Sequence, residues 1–430
     1  MFPTLFQLWH AMKDKRVVVV GGGVSGMMAA GRAAECGADV LLLEKTPRLG
    51  NKLRLTGKGR CNITNRSELS DFVAHFGDTG RFLYGVFSRF FVDDLLSFFH
   101  SWGVLTVVER GGRVFPVSND ARLVAAALEG YLRGGGVQVR RKSPVEGLLV
   151  DEGRVLGVQV KGRSIHGVSV VVATGGASYP KTGSSGDGYR LAGEVGHRVV
   201  PIRPSLVPLV VKEDWVGSLQ GLALRNVRVT LYLDDQRIGQ EFGEMLFTHF
   251  GVSGPVILSL SGKAVNALGT GRVSLSVNLK PGLTPTELDD RLQRELREHG
   301  RRRLRSVLAG LLPRKMIASF ITLLGVPADM PVQQVTAPER KRMALLMRGL
   351  KMTVAAARPI EEAIVTAGGV DTSEIDPRTM ESRLIKNLFF CGEVIDVDAH
   401  TGGYNLQAAF STGYVAGESA AGVSIRTPQS

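Results

Sequence analysis

Cysteine is scarce, and the three present, Cys36, Cys61 and Cys391, stand far apart in 430 residues. That spacing excludes a disulfide scaffold and a C-x-x-C redox couple, and it points to a reducing compartment, the cytoplasm. No apolar run approaches the roughly 18 residues a bilayer-spanning helix needs, so no membrane span is expected. Met1 to Ala11 is apolar but lacks a basic leading region and a small-residue cleavage site, so a signal peptide is not expected. The stretch reads as a loose tail, or as an over-long start if Met12 is the initiator. No His, Cys and carboxylate set has metal-ligand spacing, and no G-x-S-x-G elbow offers acyl-transfer chemistry. Acidic residues are outnumbered, 40 against 53 basic, leaving a formal charge of +13. That charge permits nucleotides, nucleic acid or acidic lipids as partners but selects none of them.

Glycine, by contrast, is abundant at 53 residues, without a Gly-X-Y period, which suits tight turns and close backbone approach. A hydrophobic share of 44% against 22% charged residues is ordinary globular composition and excludes global disorder. The length suits two or three domains.

The strongest local signal comes early. Arg16 to Val20 is a β-branched run suited to a buried parallel strand. Gly21-Gly22-Gly23-Val24-Ser25-Gly26 follows and fits G-x-G-x-x-G, with a helix expected from Val24 to Cys36 and a stop at Gly37. A second strand, Val40 to Leu43, ends in Glu44. In this order the glycines Gly21, Gly23 and Gly26 allow a tight turn and close approach of a pyrophosphate, favoured by the helix N-terminus at Val24 and Ser25. Glu44 stands where a carboxylate accepts hydrogen bonds from an adenosine ribose, and an acid there disfavours a 2′-phosphate. FAD or NAD therefore fits better than NADP. After Glu44 and Lys45 comes a glycine-punctuated cationic loop, Lys52 to Asn65, able to supply N–H groups and cations to the remainder of a long cofactor. A solvent loop with a chance basic cluster is the alternative.

Four stretches then give a specific resemblance: Gly50-Asn51-Lys52 with Thr56-Gly57-Lys58-Gly59-Arg60-Cys61-Asn62-Ile63-Thr64-Asn65; Ala173-Thr174-Gly175-Gly176-Ala177-Ser178-Tyr179-Pro180 with Thr182 to Tyr189; Thr248-His249-Phe250-Gly251-Val252-Ser253-Gly254-Pro255; and Cys391-Gly392-Glu393-Val394-Ile395-Asp396 with Gly402-Gly403-Tyr404-Asn405-Leu406-Gln407. They resemble the flavoprotein family that includes aminoacetone oxidase and a bacterial bile-acid dehydro-reductase, and they span almost the whole chain. The resemblance implies non-covalent FAD, with the diphosphate at the first glycine loop and Glu44 on the ribose. It implies that Thr174, Gly175 and Gly176 close over the cofactor and that Asp396 holds the ribityl chain. Gly403, Tyr404, Asn405, Leu406 and Gln407 would lie by the isoalloxazine. Lys45, Lys52, Thr56, Gly57, Gly59, Arg60, Cys61, Asn62, Val145, Gly392 and Glu393 complete the expected cofactor set. The implied fold is α/β, a Rossmann-type FAD domain interrupted by a β-rich, barrel-like domain with a small helical insert. Expected boundaries are 1–195 and 355–430 for the FAD domain, 196–283 and 343–354 for the β-rich domain, and 284–342 for the insert.

The middle of the chain reads alike on its own terms. Val168 to Ala173 is another buried-strand run, and Leu206 to Val211, Val227 to Leu233, Val256 to Leu260 and Val273 to Leu279 read as antiparallel strands. Thr284-Pro285-Thr286-Glu287 is a capping box opening a helix with an apolar stripe at Leu288, Leu292 and Leu296. Arg291, Arg294, Arg297, Arg301, Arg302, Arg303 and Arg305 crowd its other faces, with acids interleaved and no aromatics for base stacking. The stripe reads as a solvated face, with an anionic partner such as RNA as the alternative. A strand at Asn387 to Cys391 and a helix from Asn405 to Ala421 return to the first domain, and that helix's N-terminus would favour negative charge on a reduced flavin. His249, in a turn-rich motif, is the candidate catalytic side chain, set against a structural histidine. No second strand-linked G-x-G-x-x-G occurs, so a nicotinamide would bind transiently. The expected activity is FAD-dependent hydride transfer between a small organic substrate and flavin N5, linked to NAD(P)H. An FAD-dependent amine oxidase using oxygen, or an RNA-associated flavoprotein, are the alternatives.

Overall fold

The structure is a computed structural model that describes residues 16–422. The expectations for Met1 to Ala11 and for the start at Met12 lie outside the described residues. Of the described residues, those up to Arg203 and from Ile364 on form one compact unit, and Pro204–Ala363 forms a second.

In chain order, the first unit begins with β1 (Arg16–Val20), α1 (Val24–Glu35) and β2 (Asp39–Leu43). It continues through α2 (Ala121–Gly134), β3 (Gln138–Arg140) and β4 (Ser169–Val172). The second unit holds β5 (Leu209–Val211), β6 (Ala223–Leu233), β7 (Gln236–Phe247), β8 (Gly251–Ser253), α3 (Pro255–Ala267), β9 (Val273–Asn278), α4 (Pro285–Glu298), α5 (Ala337–Arg348) and β10 (Leu350–Ala357). The chain then returns to the first unit with β11 (Val365–Val370), β12 (Leu388–Phe390) and α6 (Tyr404–Ala420).

A parallel five-stranded sheet, in the order β12-β4-β1-β2-β3, is the frame of the first unit. Its strands read as unbroken apolar runs because both faces are covered; Val17, Val18, Val170, Val171, Leu41 and Leu42 are fully buried. The order places β1 centrally, so the turn after it opens at the carboxyl ends of the strands, where α/β sheets bind ligands. Helices α1 and α6 cover one another at very short range. A Cβ at Gly413 would meet the Ser25 backbone oxygen at 2.4 Å, and one at Gly417 would meet that of Ala29 at 2.2 Å. Arg32 stacks on Tyr414 at 4.4 Å and, with Arg89, pairs with Glu418, tying the far end of the two helices.

In the second unit, β5-β8-β7-β6-β9-β10 close into an antiparallel barrel. The alternation along β9 (buried Val273, Leu275 and Val277) matches a strand with one face inward. Val256 to Leu260, expected as a strand, is instead the first half of α3. Pro255 stands at the first helical position after Gly254, and a short apolar run cannot by itself distinguish a buried strand from a buried helix. The capping box is present: Thr284 N donates to Glu287 at 2.8 Å and Glu287 N to Thr284 Oγ1 at 3.2 Å, so α4 starts at Pro285. No helix among the described residues is long and apolar enough to cross a membrane.

Candidate active site

The three fingerprint glycines meet three different demands. Gly21 sits at φ +107°, and a Cβ there would lie 2.4 Å from Ala173 O, so the turn needs a left-handed residue in tight quarters. Gly26 packs on that turn, its would-be Cβ only 1.9 Å from Gly21 O. Gly23 has ordinary backbone geometry, and a Cβ there meets nothing within 4 Å. Open space lies just where the α1 N-terminus, which no side chain caps, presents its positive end. Glu44 closes the site from β2. Its Oε2 accepts from Gly22 N at 2.7 Å and its Oε1 from Thr46 N at 2.6 Å, which fixes the buried carboxylate while leaving each oxygen a further acceptor site.

Among the described residues eight buried side-chain polar atoms have no protein partner, and two of them lie in loops of this region: Thr174 Oγ1, in the turn after β4, and Asn62 Oδ1, in the loop after Cys61. A buried group left so costs about 1–3 kcal/mol, so a polar ligand at either atom would relieve that cost. The loop holding Asn62 is itself strained, with Lys58 at φ 57° and Cys61 at φ 60°. Open space at Gly23, a fixed carboxylate and two orphaned polar atoms, all in one unit, fit an extended dinucleotide.

Neighbouring networks hold the turns in place. Lys52 Nζ pairs with Glu393 Oε2 at 2.5 Å and with Ser178 Oγ at 2.7 Å; Glu393 Oε1 accepts from Thr366 N at 2.8 Å. Thr366 Oγ1 in turn accepts from Ala177 N at 2.9 Å, fastening the Thr174-Gly175-Gly176 turn to β11. Lys52 and Glu393 thus neutralise one another. Lys45 is engaged by Ser185 and Asp187, and Arg60 by Glu109, Asn119 and the Phe115 ring. Val145 is paired with Val160 in a separate antiparallel sheet. Asp396 lies beside β11, its amide donating to Val370 O, and burial raises its carboxyl above the usual range. Cys61 and Cys391 are fully buried, which pushes both thiols up to about 12 and leaves neither a nucleophile at neutral pH. Thr56 Oγ1 bonds back to Leu53 O.

At the C-terminal side, α6 begins at Gly403 (φ +104°), where a Cβ would strike Thr64 O at 2.4 Å. Thr64 Oγ1 donates to buried Gln407 at 2.6 Å, and Asn65 Nδ2 donates to Gly402 O at 3.1 Å. Asn405 clamps the preceding loop, taking Ala399 N and returning a bond to Ala399 O, both at 2.9 Å. Leu406 packs partly buried against the core. From Gly413, against Ser25, to Tyr404 is nine residues of helix, about 13 Å. His249 is in the second unit, exposed at the turn between β7 and β8, with its ring edge-on to Phe250. Thr366, His75 and His400 lie outside the motifs read from the sequence, and Thr64 and Ser178, inside those motifs, carry no expected role of their own. His400 stands only three residues before Gly403, so distance from the glycine motif was the available signal.

A second constellation imitates a hydrolytic triad and is structural. His197 Nε2 lies 2.7 Å from Ser382 Oγ, and His197 Nδ1 2.9 Å from Glu374 Oε2. Ser382 Oγ also accepts from Leu384 N at 3.1 Å and Ile385 N at 2.9 Å, so its only hydrogen goes to Nε2 and both lone pairs are spent. With His197 and Ser382 buried, no nucleophile is available.

Comparison with known proteins agrees with this geometry. The profile described as HI0933-like protein Rossmann domain matches residues 15–419. The 3-dehydro-bile acid delta(4,6)-reductase of Clostridium scindens is 32% identical over 94% of this chain and 99% of its own length. The ribosomal RNA dihydrouridine synthase of Escherichia coli is 29% identical over 92% and 96%. In fold, a 3-ketosteroid delta1-dehydrogenase from Sterolibacterium denitrificans superposes with a TM-score of 0.51 at 14% identity, covering 96% of this chain and 100% of that one. The chain belongs to the HI0933-like family of FAD-binding Rossmann proteins, an FAD-dependent oxidoreductase with FAD as its cofactor.

Proposed function

We propose that the protein uses NAD(P)H to reduce a carbon–carbon double bond conjugated to a carbonyl in a small organic substrate. Bound FAD would supply the hydride chemistry at its N5 position. The observation that carries the reading is the likeness, over nearly the full chain, to a relative named for reducing a 3-dehydro bile acid. A second relative, named as a dihydrouridine synthase, acts on a uracil ring, whose double bond is also conjugated to a carbonyl.

The chain's own residues divide the binding work. Gly23 and the α1 N-terminus take the diphosphate, Glu44 the adenosine ribose, Thr174 Oγ1 and Asn62 Oδ1 further polar positions, and Asp396 the ribityl hydroxyls. The α6 N-terminus at Gly403 would favour negative charge on a reduced flavin ring held there. The FAD domain is then discontinuous and corresponds to the unit that runs up to Arg203 and resumes at Ile364, since β10 continues the barrel to Ala357. The absence from the sequence of a second strand-linked glycine fingerprint supports a transient nicotinamide complex.

The second reading makes the acceptor a uridine in structured RNA, and charge favours it. Residues 284–348 carry 13 Lys and Arg against 7 Asp and Glu. Among the described residues Arg294, Arg297, Arg301 and Arg302 are exposed and form no ion pair, whereas Arg303 and Arg305 share Asp329. Arg294 and Arg297 line a cavity of about 590 Å³ on α4, with Leu283, Glu287, Asp290 and Arg291. The test is to offer NADH-reduced enzyme a 3-oxo-4-ene steroid and, separately, an unmodified ribosomal RNA transcript. Oxidation of the flavin by the steroid alone supports the first reading, and by the transcript alone the second. Oxidation by neither, with peroxide formed from an amine in air, supports an amine oxidase instead.

A further inference from the structure

Three cations of the second unit stand where β9, α4 and α5 adjoin: Lys280 just after β9, Arg291 on α4, and Arg348 at the end of α5. Leu279 N donates to Met347 O at 2.8 Å, so Lys280 and Arg348 are each the next residue along from one bonded backbone pair. Arg348 Nη1 is buried and has no partner. Arg291 is close enough to act on Lys280. Burial first, and then that guanidinium, lower the Lys280 ammonium below its ordinary value. Among the described residues no carboxylate reaches any of the three at hydrogen-bond distance; Arg291 has Glu295, one turn on, at 4.0 Å.

The nearby acids are committed elsewhere or face solvent. Arg340, about two turns before Arg348 on α5, takes Asp289 of α4 with Nε at 2.8 Å and Nη2 at 3.2 Å. Glu287 accepts from Thr284 N at 2.8 Å in the capping box, and Asp290 is exposed without an ion pair. Alongside runs the open cavity of about 590 Å³, lined by Arg291, Arg294 and Arg297 with Leu283, Glu287, Asp290 and Gln293. A buried N–H of a charged group without an acceptor is costly, and unscreened like charges add to the cost. A bound anion removes both costs.

We propose that Lys280, Arg291 and Arg348 form a binding site for a phosphate group, with Arg294 and Arg297 at its rim. The donor set selects phosphate over carboxylate. Each guanidinium fork takes two oxygens side by side, and a phosphate has oxygens for two forks and an ammonium. A carboxylate has two oxygens and a single charge. Two sources present the group, a nucleic-acid backbone and a small phosphorylated ligand. The site does not depend on which acceptor the reduced flavin serves.

The test uses full-length, FAD-loaded protein, so that the cofactor's own diphosphate site is filled, with inorganic phosphate titrated at constant ionic strength in chloride. Calorimetry reads the affinity. Lys280→Gln, Arg291→Gln and Arg348→Gln should each weaken it by about tenfold or more, through loss of a charge-assisted hydrogen bond. Arg301→Gln, exposed beyond α4, should change it by less than about twofold. Lys280→Gln and Arg291→Gln keep the test open if Arg348→Gln does not fold. Wild type that does not bind phosphate, or binding that folded variants of Lys280 and Arg291 retain in full, overturns the site. ADP and a short single-stranded RNA then identify the source. Whichever binds at least about tenfold tighter than inorganic phosphate, and loses that advantage in the same variants, is the class the site serves. If neither does, the site holds an adventitious ion only, and the proposal fails.

Discussion

The two compact units were unequally legible, and the inequality follows their chemistry. In the first unit the conspicuous residues converge: Gly21, Gly23 and Gly26, Glu44, Thr174 and Asn62 each meet a distinct spatial demand. In the second, the conspicuous residues are spread over exposed surface, with His249 at a turn and the arginines along α4 and after it. A dinucleotide imposes the same backbone approach on any protein that binds it, whereas a substrate surface is free to vary.

The comparison breaks most sharply at the glycine loop. Gly23→Val should give folded, colourless protein, because the added side chain enters empty space in the polypeptide and only the diphosphate needs that space. Gly26→Val should instead fail to fold, since its Cβ would overlap Gly21 O. Flavin absorbance and melting temperature, read together, separate the two; yellow Gly23→Val protein would contradict the loop's role. Glu44→Gln should be milder, weakening FAD by roughly 10–100-fold in equilibrium dialysis through loss of charge-assisted hydrogen bonds. Heat or acid should release all flavin from wild type, since no histidine lies in the loop Lys52 to Ile63 to link it covalently.

The second unit should respond in the opposite way. Reversing Arg294, Arg297, Arg301 and Arg302 to Glu should leave flavin content unchanged. Under the RNA reading it would weaken RNA binding and flatten its dependence on salt, and under the small-molecule reading it would alter neither activity nor FAD. His249→Ala, if that ring touches substrate, should raise KM by about tenfold with FAD retained. An unchanged KM would leave His249 a surface residue.

The smallest effect is on stability. Burial keeps His197 and His75 below the ordinary imidazole value. Folded protein therefore resists protonation at these rings while unfolded chain accepts it near pH 6.5, so stability should drop as pH falls below about 6.5. Calorimetry between pH 7 and 5 should show His197→Gln losing less melting temperature over that interval than wild type. Equal losses would mean that the Ser382–His197–Glu374 network is not what titrates.

What the sequence conveyed was whatever local backbone chemistry dictates. The β1–α1–β2 unit, the capping box at Thr284 and the α6 helix all follow from short patterns whose physics is complete within a few residues. Val256 to Leu260 misled because its apolar run is compatible with either period, and only the barrel's closure decides the matter. Pairings across long separations were invisible: Lys52 with Glu393, Thr64 with Gln407, His75 with His400. Nothing in single-residue chemistry announces that two histidines 325 positions apart come within hydrogen-bond distance.

The central claim, reduction of a conjugated double bond by NAD(P)H through bound FAD, is tested most directly by anaerobic stopped-flow absorbance near 450 nm (roughly; a property of the cofactor). NADH or NADPH should bleach the flavin, with weak saturation towards the upper end of the roughly 1 μM–1 mM KM range. Adding the 3-oxo-4-ene steroid or the ribosomal RNA transcript should then restore the colour within one turnover. Flavin that neither nicotinamide bleaches, but that a small amine reduces with peroxide formed on admitting air, would contradict the account.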